Sequence, residues 1–181
     1  MDKMSNEQYL LELQKGDIKS FECLYENIKH GLYAYIFNLV GNENDAIELF
    51  QDTMEKIFKN CKMYRVEYKA STWIWTIARN TCYDYFRKRK VSFVDIDDLV
   101  LDTMEFEDLS DFEEDRDSLR KAIDQLNPSY RDVITLRVFN EYDYEEIADV
   151  LGLTIPSVKG LIFKAKKKLK EILTEEFEYE K

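Results

Sequence analysis

Two prolines and five glycines are all that the chain has of either residue in 181 positions. So few turn-formers, among abundant Leu, Ile, Lys and Glu, point to an all-α protein. Cysteine is nearly as sparse. Cys23, Cys61 and Cys82 stand far apart without metal-ligand spacing, and read as reduced helix residues. The one histidine, His30, falls along a helix between core positions and reads as structural. There is no cysteine–histidine pairing, glycine-rich phosphate loop or metal spacing, so neither an enzyme, a cofactor nor a metal is expected. Asp45, Glu48 and Asp52 have the chemistry for a divalent ion, but a solvated or docking face is the better reading. No apolar run approaches the ~20 residues of a membrane span. The opening MDKMSNEQYL lacks a basic start followed by an apolar core, so no signal peptide is read and a cytoplasmic protein is expected.

What the chain has in excess is acid, and the excess is local. The formal net charge is −11, yet Asp95 to Asp117 holds 12 acids and one Arg, which leaves the remainder balanced. Within that remainder, Gly152 to Lys170 carries six lysines and no acid, and Tyr85 to Lys90 carries four bases and no acid. The pattern predicts two small helical domains, 1–92 and 118–181, joined by an acidic linker over 93–117. The linker is too acidic to fold well alone, but Leu99, Val100, Leu101, Phe106 and Phe112 give it apolar points for docking.

Helical periodicity fills in the modules. Ser5 with Gln8 has capping-box spacing. After Asp17, the residues Phe21, Leu24, Tyr25, Ile28, Leu32, Tyr35, Ile36 and Leu39 form a core stripe that stops at Gly41. A helix from about Asn44 turns Ala46, Leu49, Phe50, Thr53 and Ile57 inward, while Asp45, Glu48, Asp52 and Glu55 share an outer face. A polar, aromatic loop over roughly 62–70 follows, and Ser71 is placed to cap a helix running to about Arg89. The pattern resumes at Ser118. Leu119, Ala122, Ile123 and Leu126 lead to Asn127–Pro128, and Ser129 opens a helix with Val133, Ile134 and Val138 inward. Asp143 and Glu146 have capping spacing for the helix from Tyr144 to Leu151.

The segment DYEEIADVLGLTIPSVKGLIFKAKKKL, Asp143 to Leu169, reads as a helix-turn-helix. Ala148 is small where two helices must cross, Gly152 permits a positive φ at the turn, and Thr154 caps the second helix, whose first turn tolerates Pro156. Ile147, Leu151, Val158, Ile162, Ala165 and Leu169 close a small core. Ser157, Lys159, Gly160, Phe163 and Lys164 then face outward near the start of the second helix, the part of this motif that enters the major groove of duplex DNA. Lysines pair with phosphates there, and a small residue permits close approach to the bases.

STWIWTIARNTCYDYFRKRK, Ser71 to Lys90, has different chemistry. Ile74, Ile77, Ala78, Thr81 and Tyr85 point one way. Trp75, Arg79, Tyr83 and Phe86 run along a neighbouring stripe, and Trp73, Asn80, Asp84 and Arg87 make a third. Flat rings stack on unpaired bases and cations follow a backbone, so the mixture suits single-stranded nucleic acid.

Taken together, these segments resemble the extracytoplasmic-function sigma factors of bacterial RNA polymerase over nearly the whole chain. DAIELFQDTMEKIF, Asp45 to Phe58, looks like that family's polymerase-binding helix. The Ser71–Lys90 helix looks like its promoter-melting, minus-ten-reading helix, and Ser118 to about Leu173 like its minus-thirty-five reader. The resemblance implies that Asp45, Glu48, Leu49, Gln51 and Asp52 dock on the clamp helices of the largest polymerase subunit. It implies that the loop from Tyr64 to Ser71 captures a base flipped from the non-template strand, and that Tyr64, Lys69, Ser71, Trp73, Arg79, Asn80, Tyr83 and Arg87 lie along melted DNA. Tyr144, Ser157, Lys159, Gly160, Phe163 and Lys164 would contact the upstream duplex. It further implies that the acidic linker threads toward the active-site cleft as a mimic of RNA, and that an anti-sigma factor, often membrane-bound, restrains the protein. The sequence departs from the family at Ile47, Phe50 and Met54 on the docking helix. It departs again at Gly160 and Leu161, and with lysine for arginine at Lys164, Lys166 and Lys168, where point charges replace bidentate forks. The alternative is a stand-alone helix-turn-helix regulator, which has no use for the Ser71–Lys90 helix or the Asp45–Phe58 face.

Overall fold

A computed structural model of the chain describes residues 4–91 and 116–179, except the side chains of 116–118 and 175–179. Among the described residues every regular element is helical. The chain divides into two compact units, Met1–Val91 and Ser92–Lys181.

The first unit is built from α1 (Asn6–Gln14), α2 (Ile18–Val40), α3 (Glu43–Asn60) and α4 (Ala70–Lys88). Ser5 and Gln8 make the expected capping box on α1. Asp17 caps α2 by accepting from the Lys19 N–H, and Gly41 ends it at φ 73°, where a side chain would be strained. Asn42 caps α3, which therefore starts before Asn44. Leu24, Ile28, Leu32, Tyr35, Ile36 and Leu39 of α2 are buried, and meet Leu10 and Leu13 of α1, Ala46 and Ile57 of α3, and Ile74 and Ala78 of α4 in one core. The stripe on α2 is shorter than its periodicity predicts. Phe21 is half-buried and Tyr25 exposed. Their rings meet the α3 aromatics edge-on at the rim, Phe21 with Phe58 at 5.1 Å and Tyr25 with Phe50 at 6.0 Å. His30 lies exposed on α2 rather than in the core.

The second unit contains α5 (Arg116–Gln125), α6 (Pro128–Ile134) continued by a π turn over Thr135–Phe139, α7 (Tyr144–Leu151) and α8 (Ile155–Tyr179). Helix α5 starts at Arg116, within the segment read as linker, whose residues 93–115 lie outside the described residues. Asn127, not Ser129, opens α6: its side chain accepts from the Tyr130 N–H and Pro128 takes the first helical position, while Ser129 is buried. The π turn, marked by the Asn140 N–H reaching the Thr135 carbonyl five residues back, adds a residue to the helical repeat. That shift of phase buries Leu136 fully and leaves Val138 only half-buried, against the expected inward Val138. Around α8, which packs on α5, α6 and α7, the core gathers Ala122, Ile134, Leu136, Ile147, Val158, Ile162, Ala165 and Leu169.

Candidate functional site

Three surfaces carry the candidate residues, two on the first unit and one on the second. On α3, Glu48, Gln51 and Asp52 are exposed, with Ile47 (43% exposed) and Phe58 (41%) beside them on the same helix. Asp45 does not join them as an open carboxylate. It is half-buried, accepts from the Tyr85 hydroxyl at 2.7 Å and from Arg89 Nη2 at 3.2 Å, and so ties the first turn of α3 to the end of α4. Leu49 is 6% exposed and belongs to the core, because the inward arc of α3 runs through Ala46, Leu49, Thr53 and Ile57. Glu55 pairs with Lys59, whose hydrogen bond and charge hold its carboxyl below the ordinary value. Among the described residues no group of three His, Cys, Asp or Glu is gathered for a metal ion.

Helix α4 sorts its aromatic residues unevenly. Trp75 and Phe86 are buried, so two members of the stripe read as a stacking platform are core anchors instead. Trp73 and Tyr83 are half-buried, Asn80 and Arg87 exposed. The Arg79 guanidinium lies 4.2 Å from the Tyr83 ring centroid, forming a flat cation–aromatic step, and Arg87 is paired with Asp84 one turn back. Ser71 does not cap the helix. It sits half-buried in the first turn, Lys69 is the cap residue, and Lys69 contributes no capping side chain.

The loop before α4 inverts another expectation. Tyr64 is 3% exposed; its hydroxyl donates to the Tyr68 carbonyl at 2.8 Å and its ring meets Trp73 at 5.6 Å. Burial, with Glu7 and Glu67 nearby, pushes its phenol above the ordinary value. The exposed ring of the loop is Tyr68, at 61%, beside exposed Val66 and Lys69. Sequence reasoning missed Tyr68 because two tyrosines four residues apart in an irregular loop carry no periodicity to tell in from out. It also missed Arg89, whose guanidinium lies 4.5 Å from the Tyr85 ring. Burial of Tyr85 and its bond to Asp45 push that phenol up to about 12.

On the second unit the helix-turn-helix has local supports at each joint. Asp143 accepts from the Glu146 N–H at 2.8 Å and Glu146 returns the bond to the Asp143 N–H at 3.1 Å. Gly152 takes φ 67° at the turn. Thr154 accepts from the Ser157 N–H at 3.3 Å, and the two hydroxyls are 2.8 Å apart. Lys159 is exposed, with Phe163, Lys164 and Ser157 half-buried nearby. Tyr144 is brought between two cations: Lys159 Nζ lies 5.5 Å from its ring and the Arg137 guanidinium, another residue not singled out in the sequence, 5.1 Å. Gly160 is buried rather than outward, and Leu161 is 4% exposed. Packing against three helices widens the inward arc of α8 beyond the single stripe that periodicity drew.

Comparison with known proteins agrees with this division. The family model for sigma-70 region 2 matches residues 24–91, and that for sigma-70 region 4 matches 116–169. RNA polymerase sigma factor SigV of Bacillus subtilis is 31% identical over 157 residues, covering 85% of this chain and 90% of the relative. ECF RNA polymerase sigma factor SigW of the same organism is 25% identical, covering 94% and 98%. The fold is shared with CnrH, solved with the cytosolic domain of CnrY, at a TM-score of 0.71, 20% identity and 93% and 97% coverage. It is shared also with RpoE of Bartonella quintana, solved with the anti-sigma factor NepR, at 0.66, 24% identity and 87% and 98% coverage. The chain belongs to the extracytoplasmic-function sigma factors, which direct core RNA polymerase to specific promoters and assist the melting of DNA at initiation.

Proposed function

We propose that the first unit docks on the clamp helices of the largest polymerase subunit through Glu48, Gln51 and Asp52, with Ile47 as an apolar contact. Asp45 and Leu49 support that face from beneath. Along α4 and the loop before it, Tyr68, Lys69, Trp73, Arg79, Asn80, Tyr83 and Arg87 line the melted non-template strand, with Tyr68 rather than Tyr64 as the ring open to a flipped base. Ser71 and Tyr64 shape this surface from below. The second unit holds the upstream duplex through Ser157, Lys159, Phe163 and Lys164, with Tyr144 positioning Lys159. Gly160 acts by permitting close packing of α8, not by facing the bases.

The observation that carries this reading is the sorting of α4: Ile74, Trp75, Ala78, Cys82 and Phe86 are buried while two half-buried rings, Trp73 and Tyr83, an amide and guanidinium groups remain accessible on one helix. Such a surface fits unpaired bases and an opened backbone, and a reader of duplex alone has no use for it. The protein is not an enzyme on this reading, and it works in the cytoplasm; among the described residues no helix is long and apolar enough to cross a membrane. An anti-sigma factor is proposed as its restraining partner, by analogy with the RpoE–NepR complex. The domains are proposed to be joined by the acidic segment 93–115, acting as an RNA mimic in the polymerase cleft.

Transcription with core polymerase on a promoter library tests the whole reading. Promoter-specific initiation is expected only with core present, and tight, specific duplex binding by the protein alone would favour the stand-alone regulator. Trp73→Ala is expected to spare core and duplex binding but reduce permanganate reactivity of the promoter. A normal footprint removes that role.

A further inference from the structure

The loop that carries Tyr68 packs little of its apolar surface. Bonds within it include those of Tyr64 N–H to the Cys61 carbonyl, Tyr68 N–H to the Arg65 carbonyl, and the Tyr64 hydroxyl to the Tyr68 carbonyl. Met63, Val66 and Tyr68 spend their apolar surface on solvent rather than on packing. Helix α4 then begins without a side-chain cap of its own, which leaves its first N–H groups in need of acceptors.

Both ends of this loop are held instead by α1, from the far end of the sequence. At the start, Gln14 Nε2 donates to the carbonyls of Cys61 and Tyr64, each at 2.8 Å. At the finish, Glu7 Oε1 accepts from the Ala70 N–H at 2.9 Å, and so caps α4 across 63 residues. Glu7 and Gln14 are seven residues apart, nearly two helical turns, so they project from one face about 10 Å apart. The helix between them is firmly set. Its N-terminus has a reciprocal capping box, Leu10 is fully buried and Leu13 nearly so. A rigid rod bonded to both ends of a loosely packed loop fixes the path of the loop between them.

We infer that α1 is a strap that sets the base-capture loop, with Glu7 and Gln14 as positioning residues for promoter opening. The inference rests on the reading of residues 64–70 as the loop that takes a flipped base. It assigns α1 a part in DNA melting without any contact to DNA. Loss of the bonds at either end lets the loop sample other paths, and the ring of Tyr68 meets the flipped base less often.

The test uses near-isosteric changes in the full chain. Gln14→Glu removes both donors and sets a carboxylate against two carbonyls. Glu7→Ala removes the acceptor, and Glu7→Gln keeps one. Amide exchange over residues 64–70 is expected to rise about tenfold in Gln14→Glu and Glu7→Ala and to stay near wild type in Glu7→Gln, with α2 and α3 unchanged. The same proteins, bound to core polymerase, are then given a forked promoter with 2-aminopurine at successive non-template positions. Wild type is expected to brighten one position; Gln14→Glu and Glu7→Ala are expected to weaken that signal about threefold or more at equal core affinity, and Glu7→Gln to restore it. Unchanged loop exchange in both disruptive variants overturns the strap, whatever the DNA signal. Exchange that rises equally through α2 and α3 also overturns it, since the residues then serve general stability. Faster loop exchange with an undiminished base signal does the same. If wild type brightens no position, the base-capture reading has failed and takes the inference with it, while the exchange data still report whether α1 orders the loop.

Discussion

The two helices proposed to face DNA are held in place in opposite ways. Helix α8 and its partner α7 are fixed by neighbours: Asp143 with Glu146, Gly152 at the turn, Thr154 with Ser157. Helix α4 is fixed from a distance. Glu7 of α1 caps its first turn, and Asp45 of α3 holds its last through Tyr85 and Arg89. Local supports make the helix-turn-helix a self-contained grip. Remote supports make α4 and the loop before it answer to the rest of the first unit. Any partner that shifts α1 or α3 therefore reaches the surface of α4 proposed to face DNA, whereas the caps of α7 and α8 depend on their own neighbours.

The comparison can be broken most forcefully at Trp75. If α4 depends on the core of its unit, Trp75→Ala should cost about 3–5 kcal/mol of stability, whereas Trp73→Ala, half-buried at the surface, should cost far less and still impair opening. Urea unfolding followed by circular dichroism, with permanganate footprinting of both variants, checks the pair. Equal losses of stability would mean that α4 does not sort its two indoles into core and surface.

Next in size is Asp45. Asp45→Ala leaves the half-buried Tyr85 hydroxyl without its acceptor and should cost about 1 kcal/mol, most of it through Tyr85, because the Arg89 side chain is largely exposed to solvent. The Tyr85 phenol should fall from about 12 part of the way toward its ordinary 10.0, since burial remains and only the carboxylate is gone. The sign follows from the neutral phenol being favoured in the fold: the bond contributes fully below pH 10 and is lost as pH rises toward 12. A spectrophotometric tyrosine titration against Tyr85→Phe reads this directly. Glu48→Lys with Asp52→Lys gives the contrast: core affinity should fall while stability holds, and unchanged affinity would remove the docking assignment.

These residues also show what was legible in the sequence. The capping box at Asp143, the turn at Gly152 and the inward set from Ile147 to Leu169 were readable because each depends on spacing within a few positions. Family resemblance then supplied the order of the modules. Tyr64 and Asp45 were misplaced, since their partners lie 4 to 44 positions away across irregular chain or on another helix, and Ser71 is not the cap because α4 already begins at Ala70. A single-helix wheel likewise could not anticipate that α8 is covered by three helices, which turned Gly160 and Leu161 inward. Composition read the acidic segment as linker, and the helix boundary at Arg116 moved its end by two residues.

A smaller effect separates local from remote capping in the second unit. Asp143→Ala should cost about 1 kcal/mol, with faster amide exchange confined to the first turn of α7 and the adjoining turn. Promoter opening on a pre-melted template should be unaffected. If the loss spreads evenly over α5 and α6, the helix-turn-helix is less self-contained than its bonds imply.

The least perturbing probe is pH, acting on the remote cap of α4. Burial works against the charge on Glu7, but hydrogen bonds from the Ala70 N–H, its own N–H and the Ser5 hydroxyl outweigh it and hold the carboxyl below its ordinary 4.5. A carboxyl depressed in the fold stabilises the fold above its unfolded value and loses that contribution as pH falls through the folded one. The bond from the Ala70 amide should therefore weaken on acidification below pH 4.5, where the neutral acid keeps only a carbonyl acceptor, and Glu7→Gln, which cannot titrate, should flatten that dependence. The Asp143 cap on α7 is a second carboxylate cap, yet its exchange should be indifferent to Glu7→Gln. Following the two amides, Ala70 and Glu146, by nuclear magnetic resonance through the same acid titration tests whether the caps answer separately. A shift of the Glu146 amide on changing Glu7 would erase the distinction between a helix held by its neighbours and one held from across its unit.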